Sequence, residues 1–175
     1  MNTKFKRIKR KSSSNSLCGF NFTMEMQAQS NWCWAAVATS VERYYAQGST
    51  LTQCSLVNQT LTRTNCCNAP SSASCNVPYH LHSALLCIKR LGMFLAGSGP
   101  NVYVEQWLKA SRPVCARIQW NSGLGGHFVG LCGFNSKIFV VLDPMFAQKS
   151  FVHRSTFPSH YQSGGTWTHT YLTSP

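Results

Sequence analysis

Acidic residues are scarce in this 175-residue chain: Glu25, Glu42, Glu105 and Asp143 stand against 16 Lys and Arg, for a formal net charge of +12. So few carboxylates allow each to be weighed singly as a candidate, and Asp143 is the only aspartate. Long apolar runs are also missing. No stretch approaches the roughly 18 consecutive apolar residues of a membrane-spanning helix, so no membrane insertion is expected. The basic start, Lys4, Lys6, Arg7, Lys9, Arg10 and Lys11, leads into Ser12, Ser13, Ser14, Asn15 and Ser16 rather than the apolar segment of about 7–15 residues that a secretory signal requires. The expectation is a solvated arm over residues 1–16 and no classical signal peptide. The arm is basic enough for salt-sensitive contact with polyanions, but no recognition motif accompanies it, and specific nucleic-acid binding is not expected.

Hydrophobic residues at 43 % and charged residues at 11 % fit a globular remainder. Its length suits one domain, taken as residues 17–175. Nine cysteines, an odd number, leave room for a working thiol beside disulfides. Cys54, Cys66, Cys67 and Cys75 border or cross a Ser-, Asn- and Pro-rich loop, where at least one covalent bridge is expected; three pairings are open. Bridges there imply an oxidising destination. A zinc set drawn from Cys66, Cys67, Cys75, His80 and His82 is a weaker alternative, because adjacent cysteines depart from the usual ligand spacing. No metal or other cofactor is expected.

Periodicity divides the chain. Apolar residues at intervals of three and four predict a helix ending near Gly48, with Asn31 as cap and Cys33 in its first turn. Further helices are expected over 52–61, up to Gly92, and over 102–110. Runs over 114–120, 127–134 and 138–142 are β-branched or aromatic and punctuated by Gly, Asn and Ser, as antiparallel strands are. A closing strand over 166–172 places Trp167, His169 and Tyr171 on one face. The fold class is α+β, helices first and strands last, with a cleft at the seam.

Three residues in this frame carry acyl-transfer chemistry. A thiol in a helix's first turn meets unpaired N–H groups and the positive end of the macrodipole, both of which favour thiolate. That makes Cys33 the candidate nucleophile. His127, after Gly123-Leu124-Gly125-Gly126, opens an apolar strand and is the candidate base. Asp143, the only aspartate, ends the next strand. A hairpin through Asn135 and Ser136 sets Asp143 beside His127, where it can fix the imidazole tautomer. The Cys33 N–H and the side chain of Gln27 or Gln29 are candidate oxyanion donors.

Gln27 with Asn31-Trp32-Cys33-Trp34-Ala35-Ala36, then Gly125-Gly126-His127-Phe128 and Leu142-Asp143-Pro144, resembles the papain-like cysteine peptidases. The likeness is to their compact bacterial branch, which includes avirulence-effector proteases of plant pathogens and is related to bacteriocin-leader peptidases. The chain departs from papain in having Trp34 where papain has Gly, an aspartate where papain has Asn, and a shorter middle section. The resemblance implies a Cys33, His127 and Asp143 triad with Gln27 in the oxyanion hole and Gln29 as runner-up. It also implies a protein or peptide substrate. Members of the branch often act as effectors or toxins inside another cell; release by a dedicated secretion machine and a neutralising immunity protein fit that life, with a cytoplasmic protease as the default otherwise. The same triad serves transglutaminase-like acyltransferases, so transfer to an amine stands as the alternative, with a non-catalytic metal- or nucleic-acid-binding module behind it.

Overall fold

The computed structural model describes residues 18–123, 125–162 and 164–175, so the expected basic arm lies outside the described residues. Four helices, α1 (Cys33–Tyr45), α2 (Gln53–Leu61), α3 (Leu81–Cys87) and α4 (Asn101–Lys109), accompany six strands. The strands are β1 (Leu91–Ala96), β2 (Val114–Trp120), β3 (Gly126–Phe134), β4 (Ile138–Asp143), β5 (Gln148–His153) and β6 (Gly165–Thr173). They form one antiparallel sheet in the order β1-β6-β2-β3-β4-β5. The expected α+β architecture is present.

Each face of the sheet buries its own core. On one face α1, α2 and α3 bring Trp34, Val37, Val41, Leu56 and Leu85 against Cys115, Phe128 and Tyr171. On the other, Val104 and Leu108 of α4 join Phe157 and Tyr161 over Ile118, Val129, Phe139 and Trp167. α4 is therefore the one helix that leaves the N-terminal layer. The segment before α1 crosses β3 at Gly130, where an added Cβ would lie 2.8 Å from Phe22 and 2.9 Å from Met24. Only glycine permits that approach.

Several local expectations are corrected. Asn31 does not cap α1; the N-cap is Trp32, and Asn31 instead donates from its backbone N–H to Asn76 Oδ1 and from its side-chain amide to the Asn76 carbonyl. The third helix stops at Cys87, because the chain must turn to start β1 at Leu91. β5 was not anticipated: its mixed, exposed edge sequence carries no strong alternation. Trp167, His169 and Tyr171 do not share a face. Arg117 pairs with His169 but Ile118 with Trp167, so a bulge at Thr168 inserts one residue and turns Trp167 into the α4-side core.

Three disulfides tie this frame: Cys54–Cys67, Cys66–Cys75 and Cys18–Cys132. The first two lie within the expected group. The third anchors the segment that leads to α1 onto β3, and sequence spacing gave no hint of it. With these bridges made, Cys66, Cys67 and Cys75 have no thiolates to offer a metal, which removes the zinc set.

Candidate active site

The start of α1 is built by two buried indoles. Trp32 and Trp34 are 1 % and 0 % exposed, and their Nε1–H groups donate to the carbonyls of Cys75 at 2.8 Å and Val77 at 3.1 Å. Each buried polar handle is satisfied on the disulfide loop, so that loop dictates where the helix begins. No side chain caps α1, and its first turn-closing bond runs from Ala36 N–H to the Trp32 carbonyl. The N–H of Cys33 thus belongs to the unpaired first turn.

The β3–β4 hairpin closes as the sequence predicts: the Asn135 side chain accepts from Lys137 N–H at 2.8 Å and Ile138 N–H at 2.9 Å. This brings the end of β4 back to the start of β3. His127 Nε2 meets Asp143 Oδ1 at 2.7 Å, and the Cys33 thiol interacts with the same ring. Both His127 and Asp143 are buried.

Asp143 is held by more than His127. Its Oδ1 also accepts from Met145 N–H at 2.8 Å, while Oδ2 accepts from the Tyr161 hydroxyl at 2.9 Å and Gln162 Nε2 at 3.2 Å. Burial pushes the carboxyl upward, yet the hydrogen bond and charge of His127 and the other donors outweigh it and keep Asp143 below its ordinary range. Burial likewise keeps the Tyr161 proton on its oxygen, so the phenol donates. Trp120 stacks against His127 at 6.0 Å and against Tyr161 at 6.4 Å, covering the pair with an apolar ring.

His127 shows the reverse balance. Burial disfavours the imidazolium most strongly, but hydrogen bonds to Asp143 and Cys33, followed by the fields of both, raise it to about 9. An imidazole so placed can hold a proton through neutral pH and exchange it with sulfur or with an atom bound beside it. A cleft of about 210 Å³ opens at Cys33, walled by Trp34, Pro78, Tyr79, Arg117, Gly126 and Phe128 among others.

Gln27 N–H donates to the Pro144 carbonyl at 2.8 Å, fixing its segment beside the end of β4, and its Nε2 donates to the carbonyls of Gln29 at 3.0 Å and Ser30 at 2.8 Å. Gln29 lines a different hollow, with Glu25, Arg43 and Gln53. Tyr161, Gln162, Trp120 and Arg117 escaped sequence reasoning. The one signal for the first two was that a lone buried aspartate must find several donors.

The family model described as papain-like cysteine protease AvrRpt2 matches residues 17–162. No curated protein matches the chain. Among solved structures, the peptidase domain of Streptococcus ComA, a bifunctional ABC transporter involved in a quorum-sensing pathway, is similar with a TM-score of 0.55 at 14 % identity, covering 88 % of this chain and 99 % of that one. A Bacillus anthracis protein described as a C39-like peptidase has a TM-score of 0.60 at 16 % identity over 89 % and 96 % of the two chains. At such identities the likeness is one of fold, and it agrees with the α+β layout. The family match spans most of the sequence, both ends of the hairpin and the start of α1, and the chain belongs to the AvrRpt2 family of papain-like cysteine proteases.

Proposed function

We propose that the chain hydrolyses peptide bonds with Cys33 as nucleophile, His127 as acid and base, and Asp143 as the group that orients the imidazole. The observation that supports this reading is the 2.7 Å contact of His127 with Asp143, with the Cys33 thiol interacting with the same imidazole and lining a cleft. The Cys33 sulfur, having given its proton to His127, attacks the scissile carbonyl carbon. The carbonyl oxygen becomes an oxyanion facing the Cys33 N–H and one amide hydrogen of Gln27, which must swing from its carbonyl partners to serve. His127 then protonates the departing amine, leaving a thioester. In the second half His127 takes a proton from water, the hydroxide displaces the thiol, and the acid product leaves.

The substrate in this reading is a protein of another cell, cleaved after delivery by a dedicated secretion machine, with an immunity protein guarding the producer. Three disulfides support a working life outside a reducing cytoplasm. Incubating wild type and Cys33→Ala with a thiol-reactive peptidase probe, and with target-cell lysate analysed for new peptide termini, tests the activity. Labelling and termini that vanish in the variant support hydrolysis. Conjugates to an added labelled amine in place of free acids would move the reading to acyl transfer, and identical results for both proteins would remove Cys33 as nucleophile. Equal retention in wild-type and secretion-defective producer cells would sink the delivery route.

A further inference from the structure

Beside the cleft at Cys33 lies a second hollow of about 550 Å³ lined by His80, His82, Ser83, Phe94, Arg117, His169 and Tyr171. Arg117 and His80 border both spaces and so stand at their junction. Resting on the peptidase reading above, we propose that Arg117 is the specificity-determining residue of the cleft and that preferred substrates carry an aspartate or glutamate side chain beside the scissile bond.

The guanidinium is fixed before any substrate arrives. Nη1 donates to Thr168 Oγ1 at 2.9 Å and Nη2 to Gln119 Oε1 at 2.7 Å. It also lies so close to Gly126, the residue before His127, that a Cβ there would sit 2.8 Å from Nη2. The bulge at Thr168 is the local device that sets the hydroxyl opposite Arg117 while His169 and Tyr171 face the hollow. Both hydrogen-bond partners are neutral, and a guanidinium has five N–H groups to satisfy.

No carboxylate of the protein neutralises this charge. Glu25 pairs with Arg43 at 2.6 Å, Glu42 with Arg90 at 2.7 Å, Glu105 with Arg154 and with Lys109 at 3.5 Å, and Asp143 with His127 at 2.7 Å. All four acidic side chains are therefore spent elsewhere. The field of Arg117 is felt within the hollow: after burial, it is what pushes His169 below its ordinary value. The remaining lining is aromatic or imidazole apart from the Ser83 hydroxyl, and it accommodates a side chain's carbons without supplying an anion. A substrate carboxylate gains a charge-assisted, bidentate contact there, a neutral side chain displaces water from an unpaired cation, and a lysine is repelled.

The test digests a peptide library from a denatured proteome with wild type, Arg117→Met and Arg117→Glu, and maps the cleavage sites. The expected wild-type result is enrichment of Asp and Glu at one position flanking the cut, with kcat/KM at least about tenfold higher for a glutamate peptide than for its glutamine counterpart, the size of one charge-assisted hydrogen bond. Arg117→Met brings that ratio near one and Arg117→Glu inverts it toward lysine, while iodoacetamide alkylation of Cys33 at the wild-type rate, with the buried Cys115 protected, shows that each variant keeps a folded site. Paired peptides ending in free acid or amide distinguish a side-chain carboxylate from a chain end. Cleavage by wild type without acidic enrichment, or enrichment that survives Arg117→Glu, overturns the proposal and leaves the peptidase standing. If nothing is cleaved, the peptidase reading falls, and binding of the glutamate and glutamine peptides to Cys33→Ala still decides whether Arg117 selects a carboxylate.

Discussion

Asp143 is the residue on which the site turns, because four donors converge on its two oxygens and one of them is the imidazole. Asp143→Asn removes the charge but not the shape. The amide must aim its oxygen at His127 and Met145 and its NH₂ at Tyr161, whose hydroxyl then has to accept. We expect kcat to fall about a hundredfold, short of the roughly 10⁴ lost when a triad acid fixes the wrong tautomer. The alkaline limb of the pH profile, which follows His127 near 9, should move down by a unit or more, since a main support of the imidazolium is gone. A profile that keeps its upper limb at 9 would count against His127 as the titrating group. Tyr161→Phe is milder: one hydrogen bond to a buried carboxylate is lost, for about 1.5–3 kcal/mol. It should lower kcat several-fold with KM unchanged, and as a positioning residue it should leave Cys33 labelling chemistry intact.

The same residues set a pH window for stability. His127 is raised in the folded state, so its contribution is full below its ordinary value of 6.5 and is lost as pH climbs through about 9. Asp143 is lowered, so its contribution is present above its ordinary value of 3.8 and is lost as acid protonates it. Thermal unfolding should show a plateau between these limits with a decline on the alkaline side. In Cys33→Ala, where the sulfur's hydrogen bond and charge are missing, the alkaline decline should begin at lower pH; an unchanged edge in a Tm-versus-pH series would dissociate Cys33 from the imidazole.

At the scale of elements, the loop between α2 and α3 does two jobs. Its carbonyls and Asn76 hold the first turn of α1, and Pro78, Tyr79 and His80 wall the cleft. Replacing Cys66 and Cys75 together by alanine should cost about 3 kcal/mol from chain entropy and should also slow Cys33 labelling in the protein that remains folded. Cys18 and Cys132 close a far longer loop, worth about 5 kcal/mol on the same argument, but Cys132 lies five residues, about 17 Å of strand, beyond His127. Its loss should lower Tm more and the rate per titrated thiol less. The opposite ordering would show that the loop is only a staple. These elements also mark the reach of sequence reading. Helix and strand periods and the Asn135 turn are local, and they were legible. The N-cap, the edge strand β5 and the bulge at Thr168 depend on what lies across from them, on Asn76, β4 and Arg117, and no local pattern encodes that. The three residues singled out for chemistry were legible because thiol, imidazole and carboxylate are scarce enough to weigh one by one. Their supports, Tyr161 and Trp120, look like ordinary core aromatics until the fold stacks them.

The whole molecule carries its charge as it carries its fold, asymmetrically. The four acidic side chains leave a net +12, and half of it sits in residues 1–16. An acidic protein substrate should therefore be drawn in from a distance, a rate effect that salt screens once the Debye length falls from about 8 Å at physiological strength to about 3 Å at 1 M. The expected signature is a kcat/KM that falls steeply with salt for an acidic protein while kcat stays level, because steering acts on encounter and not on the chemistry at Cys33. A short neutral peptide should show little slope. Deleting residues 1–16 should weaken the salt dependence for the protein substrate and leave the preference at Arg117 untouched, since that contact is made inside the cleft. Should the deletion abolish the acidic preference as well, selection would reside in the arm and the cleft would be a neutral site behind a charged entrance.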